Sequence, residues 1–488
     1  APLVSLLRNR RLKPAARAVL IGYGEAVVAP LAYFMRDREE DKWVRRHVPS
    51  TLASLPFPSS VAALLSALDE DDGFVRFKAV AALDRLRRSN PDLPIDRAVI
   101  TRHVNAEAAR AFSAMTLHYN LFVTGGLDAN SLLARALTEK QTRALNRTLT
   151  LLGLIQGPDD VAIVRHALRL DDARLRSRAI EYLDNLLEGE PRKRVMLLIE
   201  EMPAEERIRK GNVIYRTRTR DVEDTLAQLL HDEDQSIASA AVLMVEEKGL
   251  WSLAGDLEHL LAHRDVRDQD VFEAASWALA ANRVQADRRK QLWQEPLPAV
   301  ELADRLRRVP LFDFTHIHEL FRLARLGRQV RHETGRTLYE RGATVHAVQF
   351  LLDGQVTVAG PEGKQDLRAP AALGVEELLE GAPMRASVVA AEPAITLSMS
   401  ADDFLALLSE NVELAEGIFR MMIESRGLGT GQTLIHGTLA PELRDKVQDD
   451  LRAIDRMLLL QASPLLTHAT AAQLWRLSAI ARPVTIAS

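Results

Sequence analysis

The chain has 488 residues with 63 basic and 67 acidic side chains, a net charge of −4, so no bulk field draws it onto nucleic acid or a membrane. It contains no cysteine, which excludes disulfides, thiolate catalysis and cysteine-ligated metals and fits the cytoplasm. The length admits roughly two to four domains, and 5% aromatic content beside abundant Ala, Leu and Arg is the composition of helical repeats.

No signal peptide is visible at the start of the chain. The most apolar stretch, Ala18 to Met35, is interrupted by Glu25, Pro30 and two glycines, and so predicts a buried helix pair and not a membrane span. Further along, Leu68 to Leu86 and Leu168 to Leu186 repeat one pattern in register: Asp72/Asp172, Val75/Leu175, Arg76/Arg176, Ala79/Ala179, Leu83/Leu183. The full copies also carry Asp71/Asp171 and Asp84/Asp184, and weaker copies centre on Val44, Ile208, Ile237 and Val271. The steps between them are 31, 100, 33, 29 and 34 residues, with 100 spanning three units. Such a period, with two amphipathic helices per unit, predicts an α-solenoid. In each unit the Asp caps the second helix and the apolar residues at i, i+4 and i+8 face a neighbour. The Arg reaches the acidic turn of an adjacent unit. The Asp-x-x-Val-Arg-x-x-Ala core resembles HEAT repeats.

From Gly335 to Val389 the pattern changes to short β-branched runs punctuated by glycines, including Val348–Asp353 and Gln355–Val358. This predicts an antiparallel barrel or jelly roll. With its lead-in Val309-Pro-Leu-Phe312 and a closing helix around Phe404–Leu408, the region resembles the cyclic-nucleotide-binding domain family. The resemblance implies a site in which a short helix N-terminus and an Arg hold the cyclic phosphate of cAMP or cGMP and a Glu takes the ribose hydroxyl. Here the corresponding run is Leu373-Gly-Val-Glu-Glu-Leu-Leu-Glu-Gly-Ala-Pro-Met-Arg-Ala-Ser387. A gapless match puts Val375 on the Glu position and Met384 on the Arg position, which loses both polar anchors. One inserted residue makes Arg385 the phosphate ligand, followed by Ala386 and Ser387, with Glu376 as the ribose acid behind Gly374. Both alignments stand at this point, as a structural barrel or as a nucleotide site.

The segments Lys42–Pro49, Leu86–Leu93, Leu151–Ile155 and Ala179–Leu187 look like the cytoplasmic HEAT region of a bacterial fusion family. In that family a nucleotide-translocase-like transporter precedes HEAT repeats and cyclic-nucleotide-binding domains. The resemblance implies a membrane part upstream of Ala1 and a location at the inner face of the membrane. Downstream, a shift of 154 residues carries Pro310, Leu311, Leu320, Leu323, Leu326 and Val330 onto Pro464, Leu465, Leu474, Leu477, Ile480 and Val484. A second barrel lead-in is therefore expected there, and a helix-turn-helix is not. Arg426–Thr433, with its alternating glycines after a helix, reads as a hinge and not a phosphate loop.

Catalytic patterns are thin. His316 and His318 lack a third ligand at metal spacing, and neither a Ser/His/Asp order, a Walker loop nor a paired-carboxylate pattern stands out. Two basic clusters, Arg8, Arg10, Arg11 and Lys13, then Arg207, Arg209, Lys210, Arg216, Arg218 and Arg220, read as solvated loops, or else as attraction to anionic headgroups. The expected architecture is a mainly α chain: a HEAT-like solenoid over 1–298 and a cyclic-nucleotide-binding-like jelly roll over 299–430. A linker and helix over 431–462 and the start of a second such domain over 463–488 complete it. The expected role is non-enzymatic and regulatory, without cofactor or metal. Protein partners on the solenoid, a cyclic nucleotide and a transporter domain are expected, and no nucleic acid. The rival expectation is a free-standing interaction scaffold. The 154-residue offset carries Gly335 to the position just after Ser488. The next codons are expected to encode Gly, or else Asn or Asp, and then a further glycine-punctuated β-rich run. Sequencing onward checks this, and a helix-turn-helix pattern there would contradict it.

Overall fold

The computed structural model describes residues 2–9, 12–168, 173–263, 269–283, 296–361 and 363–411, with scattered positions at 414, 417, 418, 460 and 477. The expectations for Arg10, Arg11, Asp171, Asp172, the 426–433 hinge and nearly all of the second lead-in lie outside the described residues. The chain divides into two compact units, Ala1–His259 and Leu260–Ser488. The helices from Leu260 onward thus cluster with the barrel.

In the first unit the described elements are helical, and aspartates begin many of them. Asp41, Asp72 and Asp234 each accept a backbone N–H two residues on, starting the helices Lys42–Leu52, Gly73–Ser89 and Gln235–Lys248. The acidic turns are held by basic side chains of other helices. Arg45 donates to Glu70 at 2.7 Å and Arg46 to Asp72 at 2.9 Å. Lys140 donates to Asp232 at 2.7 Å and Arg143 to Asp234 at 3.1 Å. Val75, Ala79, Leu83, Ala179 and Leu183 are buried, as the periodicity requires. Leu175 is not: it is 40% exposed. It lies in the first turn of the helix Ala173–Leu186, where side chains lean toward the N-terminus and overhang the helix end. Arg176 lies 3.5 Å from Glu201.

The long helices Arg97–His118 and Leu132–Gln156 pack along each other. The 73–89 and 235–248 helices both pack on the second of these, and Gly189–Ile199 packs on the first. Glu107 is buried where the 73–89, 97–118 and 132–156 helices meet. It accepts from Arg147 Nε at 2.7 Å and Arg110 Nη1 at 2.9 Å, and Arg76 Nε lies 3.4 Å away. Arg76 also donates to the Glu70 and Asp71 carbonyls and to Glu233. At Gly211 the Ala204–Tyr215 helix approaches Phe112 so closely that a Cβ would stand 2.0 Å from the ring, which stacks on Tyr215.

The apolar stretch near the start forms the helices Lys13–Gly22 and Val28–Arg36 joined by a 3₁₀ turn. Leu20, Val27, Leu31 and Met35 are buried, but Val19, Tyr23 and Tyr33 are exposed, so the expected burial holds for one face only. Among the described residues no helix is long and apolar enough to cross a membrane.

Among the described residues of the second unit, eight strands form two antiparallel four-stranded sheets: β1 (Arg328–His332), β2 (Thr337–Tyr339), β3 (Ala347–Asp353), β4 (Gln355–Gly360), β5 (Gly363–Arg368), β6 (Ala371–Leu373), β7 (Ser387–Ala390) and β8 (Ala394–Ser400). The orders are β1-β8-β3-β6 and β2-β7-β4-β5, a sandwich with crossovers between sheets. Phe350 of β3 meets Phe312 of the lead-in at 5.0 Å and Phe404 of the closing helix at 6.1 Å. The preceding helices are tied on by polar contacts. Gln329 bonds both the N–H and the carbonyl of Leu297, and Arg325 pairs with buried Asp270.

Two substitutions test the helical packing. Leu183→Asp buries an unpaired charge and is expected to cost several kcal/mol, on the order of 3 or more. Glu107→Ala strands buried guanidinium charge and is expected to cost about 3–5 kcal/mol. Urea denaturation followed by circular dichroism measures both. Wild-type midpoints would show that the packing or the network is not what holds these helices.

Candidate functional site

The site follows from two local events: a glycine that turns β6 into a short helix, and the alternation of side chains leading into β7. Gly374 has φ of 77°, the left-handed region open to glycine, and caps the helix Val375–Glu380. A Cβ there would stand 2.8 Å from Tyr339 Oη. The Tyr339 hydroxyl donates to the Ala347 carbonyl at 2.7 Å and lies 3.2 Å from that of Leu373, joining β2, β3 and β6. Burial, and then the charge of Glu377, push this phenol well above its ordinary range, so it remains a donor.

Met384 is held by its backbone, its N–H donating to Ala343 at 2.9 Å and its carbonyl accepting from Gly342 at 2.8 Å. From there the chain alternates. Met384, Val388 and Ala390 are buried, while Arg385 is exposed and Ser387 and Val389 are half-buried. Met384 belongs to the inter-sheet cluster with Val345, Leu351, Val356, Leu373 and Val388. Val375 is buried as well, at 2% exposure. Both positions that the gapless alignment assigns to polar anchors thus hold enclosed apolar side chains.

The structure brings Arg385 and Glu376 together, with Nη1 3.8 Å from Oε2, and Arg385 also pairs with Glu380. The Arg385 side chain is 52% exposed, so these pairs are screened and contribute little to stability. Ser387 Oγ accepts the Arg341 N–H at 3.1 Å. Ala386 lies against Gly360, where a Cβ would come within 3.3 Å of its own. Neither Ala386 nor Ser387 is shown in contact with the Arg385–Glu376 pair. Two participants escaped the sequence reading. Glu380 is five residues before Arg385 across the Gly381 turn, an opposite-charge spacing that signals a pair. Tyr339 carried no local signal, because its partners lie on other strands.

Arg385 thus faces two carboxylates, Glu376 and Glu380, with Glu377 on the same short helix. Glu376 and Glu377 occupy the first turn of the short helix, where acidic side chains complement the partial positive charge of the amide groups. An entering phosphate would have to displace carboxylates from Arg385. Among the described residues no group of three or more His, Asp or Glu could hold a metal ion.

Residues 329–411 match the cyclic nucleotide-binding domain family. A 119-residue stretch is 34% identical to the cyclic nucleotide-gated potassium channel of Rhizobium etli, covering 24% of this chain and 34% of that one. The chain therefore spans about a third of the length of the curated relative it matches. Among solved structures it is similar to a cAMP-binding acyltransferase from Mycobacterium smegmatis (25% identity, 27% of this chain and 42% of that one, TM-score 0.23). It is also similar to the catabolite activator protein of Thermus thermophilus (20% identity, 24% and 59%, TM-score 0.23). By the family match, residues 329–411 of the second unit form a domain of the cyclic nucleotide-binding class.

Gly374→Ala is expected to cost about 1–3 kcal/mol through backbone strain and the clash with Tyr339. Gly381→Ala is a control with φ of 64° but open space at its Cβ, and pays the backbone cost alone, about 1 kcal/mol. Equal urea midpoints for the two variants would show that the Tyr339 contact does not constrain this turn.

Proposed function

We propose that the chain is a non-enzymatic regulatory region whose barrel has exchanged its nucleotide anchors for core side chains. In this reading the module keeps its fold through Val375 and Met384 instead of through a bound cyclic phosphate, and acts by contact with other proteins. The observation that carries it is the burial of those two residues in the gapless alignment. The pairing of Arg385 with Glu376 and Glu380 supports it, since a phosphate would have to compete with two carboxylates for that cation. The capped, turn-gripping helices of the first unit support a HEAT-like interaction surface. The order of modules supports a cytoplasmic part of a membrane transporter. The gated channel named among its relatives is consistent with a regulatory module joined to a transport protein.

A second reading keeps the inserted alignment, and the 3.8 Å approach of Glu376 to Arg385 favours it. Arg385 would then hold the phosphate of cAMP or cGMP and Glu376 the ribose.

Calorimetry on the whole chain with each nucleotide at millimolar concentration decides between them. The expected result is no saturable heat for the wild type. Saturable wild-type binding that Arg385→Ala abolishes and Glu376→Ala weakens would overturn the first reading in favour of the second.

A further inference from the structure

Among the described residues β1 is an edge strand paired with β8 alone, and it is where the preceding helices join the sandwich. The helix Ile317–Leu326 leads directly into it. Arg325, three residues before β1, pairs with buried Asp270, and Gln329 within β1 bonds both backbone groups of Leu297. A change that loosens β1 therefore also slackens the hold of the barrel on these helices.

The last residue of β1 is a histidine turned inward. His332 is 8% exposed and stands opposite Ala394, a member of the inter-sheet cluster. Its Nε2 lies 2.9 Å from Thr396 Oγ1, which donates to Gln349 Oε1 at 2.6 Å. Thr396 is two residues from Ala394, so the three side chains form a polar row from β1 across β8 to β3 on one face of the sheet. A hydroxyl has one proton to give. Thr396 gives it to Gln349, so its oxygen accepts from His332 Nε2–H. The row is complete with a neutral imidazole, and a second proton on Nδ1 adds a charge to the buried ring and no bond to the row.

The surrounding groups do not compensate that charge. β8 and β7 carry no titratable side chain, and the Tyr339 hydroxyl of β2 is held by the Ala347 and Leu373 carbonyls. Asp353 of β3 lies 3.6 Å from Arg305, and Glu333, next in the chain, is exposed. Burial first, and then the charge of Arg336 in the turn after β1, hold the imidazole below its ordinary range. The released strand takes up a proton near the ordinary histidine value, about 6.5, while the paired strand resists it. The pairing is thus at full strength above that value and weakens as pH falls below it.

We propose that His332 makes the seam between β1 and β8 acid-sensitive, so that protonation of its ring releases β1 and slackens the helices that Gln329 and Arg325 tie to the barrel. The inference rests on neither the nucleotide nor the transporter reading.

Hydrogen exchange of the full chain, read by mass spectrometry at about pH 7.5 and about pH 5.5, is the test. The intrinsic chemistry shifts all amides alike, so the protection of β1 is taken relative to that of β3 at each pH. In the wild type this ratio is expected to fall about threefold or more at the lower pH. His332→Gln keeps a donor for Thr396 but does not titrate, and its ratio is expected to stay constant. A constant wild-type ratio would overturn the proposal, and that measurement needs no variant. An equal fall in His332→Gln would overturn it too, since another group would then carry the pH dependence.

Discussion

A strand turns each successive side chain to the opposite face of its sheet, and in this protein that alternation decides what the barrel can hold. Backbone bonds from Met384 to Ala343 and Gly342 fix the phase of the chain entering β7. With that phase set, Met384 and Val388 go into the inter-sheet core and Arg385 goes out to the rim. A shift of one residue would reverse the arrangement. The cluster of Val345, Leu351, Val356 and Leu373 holds the phase, because the reversed chain would place a guanidinium among them at a cost of several kcal/mol, about 3 or more. The rim position in turn gives Arg385 its partners. Glu376 and Glu380 stand on the short helix that Gly374 opens, so the cation is satisfied within the protein.

In the helical unit the comparable constraint is buried charge. Glu107 is enclosed by Arg76, Arg110 and Arg147, and Arg76 extends the network to the 70–71 carbonyls and to Glu233. A buried pair of this kind adds little over a well-packed apolar core, yet it penalises any arrangement that separates its members. It therefore selects one way of bringing the 73–89, 97–118 and 132–156 helices together. Exposed pairs such as Arg38 with Asp71 at 2.6 Å carry no such selectivity, since solvent compensates either partner.

The sequence by itself determined much of the local structure. Its repeated pattern located the cap at Asp72, and its apolar spacing found Val75, Ala79, Leu83, Ala179 and Leu183. Its β-branched runs and glycines placed the barrel, whose residues 329–411 match the cyclic nucleotide-binding domain family. These signals are legible because caps, helix faces and turns depend on neighbours within a few residues. The same local rules left Leu175 misplaced, since they fix a face but not whether another element covers it. Only the tertiary structure decided which of Met384 and Arg385 faces inward, because register is set by pairing with Ala343 from another part of the chain. It alone placed Tyr339 across β3 and β6, and it alone left Tyr23 and Tyr33 uncovered. Those outcomes depend on contacts between distant segments, where packing and the cost of burying charge override local preference.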